Sequence, residues 1–503
     1  MNDTTIPTDQ TDANRRWLLA AGFVAIAAAG VGFAIRGGIL SDWGTQFGFT
    51  QTDLGLITGG GLVGFGMVVM IGAFLAEALG YGRLMVFALL CHLLSAALTL
   101  AATPLYDARV GVDPIAARNI AYQCLYWGMF LFAVGNGIAE AVVNPLTAAL
   151  YPSQKTHYLN ILHAGWPAGL VLGGLASALM AGKVRWEAQI SLFLIPVLAY
   201  GLLCIGRRFP RSEARAKGVS LTRMLVEFAS PLLLVLLLAQ ALVGYVELGT
   251  DSWISNITGN ILASSRQGLF LFVYVSLLMT ALRFFAGPII HRISPIGLLF
   301  VSACLGAIGL TLLGMAGSAL ALVGAATVYT LGKTFLWPTM LGVVADRFPR
   351  GGAIVIGAVG AAGALSAGLL GGPGIGYQQD RFASAELRAT APQVHEAYQA
   401  PTANSFLFFD EVRGLDGAKV NPIRKKTAAE RAPDERAVHD ADLHGGRMAL
   451  RVTAIVPALM AVIYLGLLLY FKMTGGYRAL TVEGEPDPSI TKAADQVAVG
   501  GEL

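Results

Sequence analysis

Twelve apolar stretches of about twenty residues recur along the chain, and they limit its fold more than any other feature. A helix of about 20 residues is long enough to cross the roughly 30 Å hydrocarbon core of a bilayer. Inside that core only helices and closed barrels satisfy their backbone hydrogen bonds. The sequence therefore predicts an all-α membrane protein with twelve transmembrane helices. The predicted spans are residues 17–37, 54–78, 84–103, 119–149, 159–182, 187–206, 230–256, 268–290, 296–317, 319–344, 353–375 and 450–471.

The composition agrees with a membrane protein and excludes other classes. Charged residues make up 13% of the chain, against about 25% in a soluble domain. The four cysteines form no CxxC pair, so neither a disulfide framework nor a zinc site is expected. No basic patch with interleaved aromatic residues occurs. We therefore expect no nucleic-acid partner, no metal and no cofactor.

Glycine is abundant, with 61 residues in the chain. Small residues let membrane helices approach each other closely. The pairs Gly60 and Gly64, and Gly169 and Gly173, have the spacing for such contacts, and we expect close helix packing there.

Basic residues in the short loops set the expected orientation. Fifteen lie on the side of the N-terminus and five on the other side. This asymmetry predicts an inner-membrane protein with both tails, residues 1–16 and 472–503, in the cytoplasm. The first tail leads into the first span without a cleavage site for a signal peptide.

The most basic loop, residues 207–229, separates two sets of six spans, residues 17–206 and 230–471. Short segments of the two sets resemble each other: Ala73–Arg83 corresponds to Gly287–Pro295, and Ala168–Gly174 to Ala367–Gly372. Parallel repeats of this kind are typical of transporters. We therefore expect two six-helix halves.

One polar segment, residues 377–447, interrupts the second half. It holds ten basic and eleven acidic residues, which makes it a nearly neutral insertion on the extracytoplasmic side. We expect helical pieces in it, such as 384–398, and its sequence contains no catalytic pattern.

Glu140 is the most unusual residue inside a span. A carboxylate at membrane depth costs about 2.5–3.5 kcal/mol on insertion scales, so it is usually kept for a pathway, an ion pair or a proton. Asn136 and Asn144, each four residues away, lie on the same helical face. This polar face is a candidate functional site.

Twelve spans in two halves around a basic loop resemble the major facilitator superfamily. The turn after the second span resembles that superfamily's GxLaDrxGr motif, with Glu77 in place of the aspartate, Gly80 retained and Ala73 in place of the first glycine. The second copy of the turn holds His291 and Arg292. The resemblance implies gating roles for these turns. We extend this role to Arg283, which lies just before the second turn and is expected to be paired at the cytoplasmic side; the four candidates are Glu77, Arg83, Arg283 and Arg292.

A second pattern is more specific. Glu140, Asn144 and Pro145, followed by Leu159 and Asn160, resemble an E-x-x-x-N-P element and an L-N element of the fucose permease branch and similar sugar:proton symporters. In that branch the glutamate takes part in proton coupling, and residues one or two turns into the fifth helix face the sugar. The resemblance implies that Glu140 carries the proton and that His163 and Trp166 lie near the substrate.

In this superfamily the first, fourth, seventh and tenth helices line the central cavity, and ionisable residues of this chain fall on them. Lys333, flanked by Tyr329 and Trp337 on one helical face, would suit a solute that contains a ring. The candidate substrate-binding residues are Arg36, Asn136, Asn144, Asn160, His163, Trp166, Gln240, Glu247, Tyr329, Lys333 and Trp337.

The sequence thus favours a monomeric transporter of a small polar solute, a sugar above all, driven by protons through alternating access. Several alternatives stay open. Glu140 could be held in an ion pair with Arg36 or Lys333. Arg36 and Lys333 could bind an organic anion, or the chain could be a solute sensor that does not transport. A membrane enzyme is not expected, because no HExxH or GxSxG pattern occurs.

Overall fold

The computed structural model describes residues 8–49, 54, 56–58, 61–180, 182–262, 265–400 and 403–486. Within these ranges eleven helices are long and apolar enough to cross a membrane, and a pair bent by 61° supplies a twelfth span. The predicted number of spans and the all-α membrane fold are therefore confirmed. The spans are α1 Ala13–Leu40, α2 Leu56–Leu79, α3 Tyr81–Val110, α4 Pro114–Leu150, α5 Pro152–Met180, α6 Trp186–Cys204, α7 Pro231–Ile261, α8 Gln267–Arg283 with Ala286–Ile293, α9 Pro295–Met315, α10 Ala319–Arg347, α11 Pro349–Thr390 and α12 Pro433–Met473.

Several spans are interrupted. α7 and α11 each contain a π-helical turn, Tyr245–Gly249 and Ala367–Gly371, which is a feature often found near functional sites. α10 consists of Ala319–Lys333 and Leu336–Arg347. The remaining pieces are Lys155–His163 and Gly165–Met180 in α5, Trp186–Ser191 and Leu194–Cys204 in α6, and Pro433–Thr453 and Ile455–Met473 in α12.

The predicted insertion is not a separate loop. α11 continues to Thr390 and α12 begins at Pro433, so both helices extend well past the predicted ends of their apolar stretches. Hydropathy falls at the membrane surface, but helical hydrogen bonding does not have to stop there. The two extensions pack closely, because a side chain at Gly445 would come within 2.6 Å of the carbonyl of Gln379.

Smaller elements lie between these extensions and in the central loop. Leu387, Val420 and Val438 form a small core of their own in the insertion. The elements are helices Pro392–Tyr398 and Gly417–Lys425, strands Asn404–Phe406 and Phe409–Val412 in the insertion, and helices Glu213–Ala216 and Leu221–Val226 in the central loop. The break before Pro392 divides the helical piece expected at residues 384–398.

Glycines of α5 bring this helix close to α1. A Cβ at Gly169 would lie 2.2 Å from the carbonyl oxygen of Ala27, and one at Gly173 would lie 2.7 Å from that of Val31. α5 therefore packs on α1 at the distance expected for a small-residue interface. The close packing predicted at Gly64 is wrong, because a Cβ there would have no described atom within 4 Å. Gly60, the other residue of that pair, lies outside the described residues.

The two termini of the described chain share one face of the bundle. Asn14 bonds the carbonyl of Arg208 at 3.0 Å, and Lys217 bonds Glu483 at 2.8 Å. We call the side with residues 13–16, the central loop and residues 474–486 the terminal face. The opposite side carries residues 377–447, and we call it the insertion face.

The closest approach in the second six helices gives a stability prediction. A Cβ at Gly244 in α7 would lie 1.8 Å from the carbonyl oxygen of Gly363 in α11. We expect Gly244→Ala to lower the free energy of unfolding by about 1–3 kcal/mol or more through overpacking. The midpoint of thermal unfolding of the purified protein in detergent measures the effect.

Gly324→Ala is the matched control. A Cβ at Gly324 would have no atom within 4 Å, so this change should be neutral or slightly stabilising. Equal midpoints for the two variants would contradict the packing of α7 on α11.

Candidate functional site

A cavity of about 820 Å³ lies between the two sets of six helices. Its lining comes from the middle of the bundle and from the ends of helices near the insertion face, such as Gly38 of α1, Gly61 of α2 and Gly372 of α11. The sequence-predicted residues that line it are Arg36, Asn136, Glu140, His163, Trp166, Glu247, Arg283 and Trp337.

Polar contacts between the two sets of helices close the terminal face. Lys155 donates to the carbonyl oxygen of Ala345 at 3.2 Å. Asn160 donates to Thr339 at 3.2 Å, and the backbone N–H of Gly287 donates to His157 at 3.1 Å. The cavity is thus shut towards the terminal face and extends towards the insertion face.

Glu140 lies at the wall of this cavity and is 8% exposed. Asn144 donates to its Oε1 at 2.9 Å, and His163 Nε2 lies 3.5 Å from the same oxygen. His163 Nε2 also contacts Asn144 Oδ1 at 2.9 Å. Because an amide oxygen only accepts, Nε2 carries the proton here. The three side chains form one closed hydrogen-bonded cluster, which we call the Glu140 cluster.

Arg283 joins this cluster to the other six helices. Its guanidinium is paired with Glu247 at 2.8 Å and donates to the carbonyl oxygens of His163 at 2.5 Å and Thr334 at 2.9 Å. All of these groups are buried. One side chain of α8 thus connects α5, α7 and α10 at the cavity.

The position of two prolines explains why these carbonyls are available. In a continuous helix the carbonyl of residue i bonds the N–H of residue i+4. Pro167 lies four residues after His163 and Pro338 four residues after Thr334, and proline has no N–H to offer. Both carbonyls are therefore left without a helical donor, and Arg283 supplies one.

The ion pair of Glu140 with Arg36 or Lys333, left open as an alternative by the sequence, is not found among the described residues. Lys333 pairs with Asp251, and Arg36 has no carboxylate within 4 Å among the described residues. The pairing could not be deduced from the sequence, because it depends on how each helix is rotated against its neighbours. The sequence analysis did not identify Asp251 as the partner of Lys333. The position of Asp251 one helical turn after Glu247 was the signal that could have indicated it.

The aromatic pair expected around Lys333 is also corrected. Tyr329 lies 5.4 Å from its ammonium, but α10 breaks after Lys333 and turns Trp337 towards Gly363 and the cavity. Trp337 instead interacts with the carboxylate of Glu140.

The other predicted binding residues either lie buried behind the cavity surface or form hydrogen bonds within the cavity wall. Asn136 bonds His92, which bonds Tyr200 at 2.9 Å. Both amide atoms of Gln240 are buried without a hydrogen-bond partner. The predicted residues that do not belong to the described lining are Asn144, Asn160, Gln240, Tyr329 and Lys333.

The candidate gating residues occupy two places. Glu77 accepts from the N–H of Ala353 at 2.7 Å and from Ser212 at 2.8 Å, at the N-terminal end of a segment of α11. A negative charge is favourable there. Arg83 and Arg292 are exposed on the terminal face. Arg283, expected at the cytoplasmic side, instead lines the cavity, and its gating role stays a prediction.

Arg36 is the cation of this cavity that needs most explanation. Its guanidinium lies over the rings of Phe132 at 4.0 Å and Phe193 at 4.9 Å, and it donates to Ser95 at 3.0 Å and to the carbonyl of Gly32 at 3.3 Å. Its Nε is buried and has no hydrogen-bond partner in the part of the chain that the structure describes. The described residues contain no group of three side chains that could hold a metal ion.

The Arg283–Glu247 pair gives the prediction for this site. Removing one partner of a buried pair leaves an uncompensated charge and costs about 3–5 kcal/mol. We expect Arg283→Gln and Glu247→Gln each to lower the thermal midpoint strongly. The double variant should be less destabilised than the sum of the two.

Glu483→Gln serves as the control, because the pair of Glu483 with Lys217 is exposed and should contribute about 1 kcal/mol or less. Additive effects of the two buried substitutions would show that the pair is not coupled.

Comparisons with known proteins place this geometry in a family. A family model described as Major Facilitator Superfamily matches residues 17–371. No curated protein matches the sequence.

Three solved structures are similar in fold. The transporter FucP in the outward conformation, the E. coli fucose:proton symporter, has a TM-score of 0.61 at 15% identity, covering 89% of this chain and 98% of FucP. The E. coli proton:xylose symporter XylE has a TM-score of 0.68 at 12% identity, covering 91% and 96%. The human organic anion transporter MFSD10 has a TM-score of 0.56 at 14% identity, covering 90% and 99%.

At such identities the solved structures establish the fold alone, while the family model matches well over half of the sequence. The resemblance read from the twelve spans and the turn motif is therefore confirmed, and this chain belongs to the major facilitator superfamily.

Proposed function

We propose that this chain is a proton-coupled secondary transporter that moves a small polar solute of the sugar class by alternating access. The observation that carries the proposal is the Glu140 cluster at the wall of the cavity. A buried carboxylate with hydrogen-bond partners but no full ion pair can be neutralised by a proton without leaving another charge unpaired.

The cavity supplies the binding surface for the solute. Trp166 and Trp337 both line it, and aromatic faces suit the apolar face of a ring. Asn136, Glu140 and His163 offer donors and acceptors for hydroxyl groups. A ligand pocket of this kind, mostly apolar with a few converging polar groups, is typical of small-molecule sites.

Coupling follows from the position of His163. Its ring belongs to the Glu140 cluster, and its carbonyl accepts from Arg283 of the other six helices. Protonation of Glu140 from the insertion face would remove the negative charge beside this ring. The loss of this charge would weaken the contact between His163 and Arg283, which joins the two sets of helices, and would permit the two sets to rock. Release of the proton at the terminal face would then restore the original state of the site.

The orientation and state of the protein are part of the proposal. The basic residues of the terminal face support a cytoplasmic location for both termini, in an inner membrane. The protein would act as a monomer, since one chain contains the whole cavity, with lipid, solute and protons as its partners. The solved sugar:proton symporters of similar fold support the sugar class.

Two rivals make different predictions. A solute sensor would bind in the cavity without translocation, and vesicles would show no flux. An organic anion transporter would differ in cargo alone. A role of Lys333 in binding an anion is disfavoured, because Asp251 already occupies its ammonium.

Glu140→Gln tests proton coupling. Glutamine preserves the shape and the hydrogen bond to Asn144 but cannot take up a proton. In vesicles containing the reconstituted wild-type protein, we expect a pH gradient to drive accumulation of at least one of glucose, fucose, xylose or their acids. At one proton per solute, accumulation rises about tenfold for each pH unit of gradient.

We expect the Glu140→Gln variant to lose accumulation and keep exchange of the same solute. Glu396→Gln, a change at an exposed residue of the insertion, should behave as wild type. If the Glu140→Gln variant still accumulates the solute against its concentration gradient, Glu140 does not couple transport to protons.

Single cysteines test the orientation. Glu430 lies exposed on the insertion face and Arg211 on the terminal face. A thiol reagent that cannot cross membranes should label Glu430→Cys in intact spheroplasts. It should label Arg211→Cys only after the membrane has been permeabilised. The reverse pattern would mean that the termini are extracytoplasmic.

A further inference from the structure

We infer that the solute carries a carboxylate and that Arg36 binds it, so that the cargo is a small acidic sugar or a similar polyhydroxylated monoanion. This inference rests on the proposed transport function and narrows its substrate class. It starts from a buried cation that the described residues leave without a carboxylate.

Arg36 is 2% exposed and belongs to the cavity lining. Burying a guanidinium without a counter-charge is costly, and two aromatic faces and two neutral acceptors compensate for this only in part. Its Nε is a buried donor with no partner. A carboxylate arriving from the cavity would find a donor that no other group occupies, and arginine is well suited to bind carboxylates.

The wall beside Arg36 has room for a ligand. A Cβ at Gly37 would have no atom within 4 Å, and both Gly37 and Gly38 line the cavity. Ser177 of α5, close to Gly38, lines it too, and its buried hydroxyl has no hydrogen-bond partner among the residues described. A second unpaired polar group thus lies on the same side of the cavity.

The other cations are already neutralised. Arg283 is paired with Glu247, and Lys333 with Asp251. With Glu140 ionised, three cations and three carboxylates balance around the cavity. When Glu140 takes up a proton, one positive charge remains, and Arg36 is the cation of these three that the described residues leave without a carboxylate. A monoanionic solute restores neutrality at the moment when the proton is bound.

This balance predicts an electrical signature. One proton that enters with one monoanion moves no net charge, whereas one proton that enters with a neutral sugar moves one positive charge. Accumulation of the acid should therefore respond to a pH gradient but not to a potassium diffusion potential.

Matched pairs of compounds test the inference on the full chain. The acids are glucuronate, galacturonate and gluconate, and their neutral counterparts are glucose, galactose and sorbitol. We expect at least one acid to raise the thermal midpoint of the purified protein and to cause proton uptake in vesicles. Its neutral counterpart should need about a tenfold or higher concentration to give the same effect. This factor corresponds to the loss of a hydrogen bond to a charged group.

Arg36→Gln should remove this preference, and Arg36→Lys, which keeps the charge, should retain part of it. Lys217→Gln, at an exposed residue of the terminal face, is the control and should leave the preference intact. If Arg36→Gln does not fold, the insensitivity of wild-type accumulation to membrane potential still tests the inference.

The failures are distinguishable. Proton-driven accumulation of a neutral sugar at concentrations as low as those of its acid would overturn the carboxylate assignment and leave the transport proposal standing. An intact preference in Arg36→Gln, or no response to any of the six compounds, also overturns the assignment. The absence of any proton-linked flux in vesicles would remove both proposals.

Discussion

A charge buried in the middle of a bilayer needs a partner, and the partners found in this chain determine the layout of its cavity. Arg283 is the central case. It neutralises Glu247 and also donates to backbone carbonyls of α5 and α10. The low-dielectric surroundings make each of these contacts costly to break without replacement. The two sets of six helices are therefore joined at the cavity by a few directed polar contacts.

Elsewhere the two sets approach each other through small residues and through the terminal face. Close packing at Gly357, where a Cβ would lie 2.3 Å from that of Ala73, brings α11 against α2. Glu77 caps a segment of α11, and a Cβ at Gly352, which has a φ of 53°, would lie 2.5 Å from its carboxylate. Such interfaces hold little interdigitation of large side chains, so they can separate with limited repacking. The proposed alternation between two states of similar free energy requires such interfaces.

The sequence predicted what depends on local pattern. The twelve spans follow from hydropathy, and the shared face of Asn136, Glu140 and Asn144 follows from a spacing of four. The pairing of Lys333 could not be predicted in the same way, because periodicity within a helix does not give its rotation against a neighbour. Trp337 was misplaced because the break in α10 shifts the helical phase. The helical extension to Thr390 was missed because hydropathy reports the solvent and not the backbone.

Proline accounts for a part of the site that composition alone does not reveal. His163, Thr334 and Ala345 each lie four residues before a proline, and each offers its carbonyl to a cation from another helix, Arg283 or Lys155. A carbonyl released from its helix at membrane depth is costly unless a donor reaches it. The prolines thus create acceptors at fixed depths, and the cations satisfy them across helix boundaries. Since the ring of His163 also lies 3.5 Å from Glu140, the same break in α5 places a member of the Glu140 cluster and an interhelical connection on one residue.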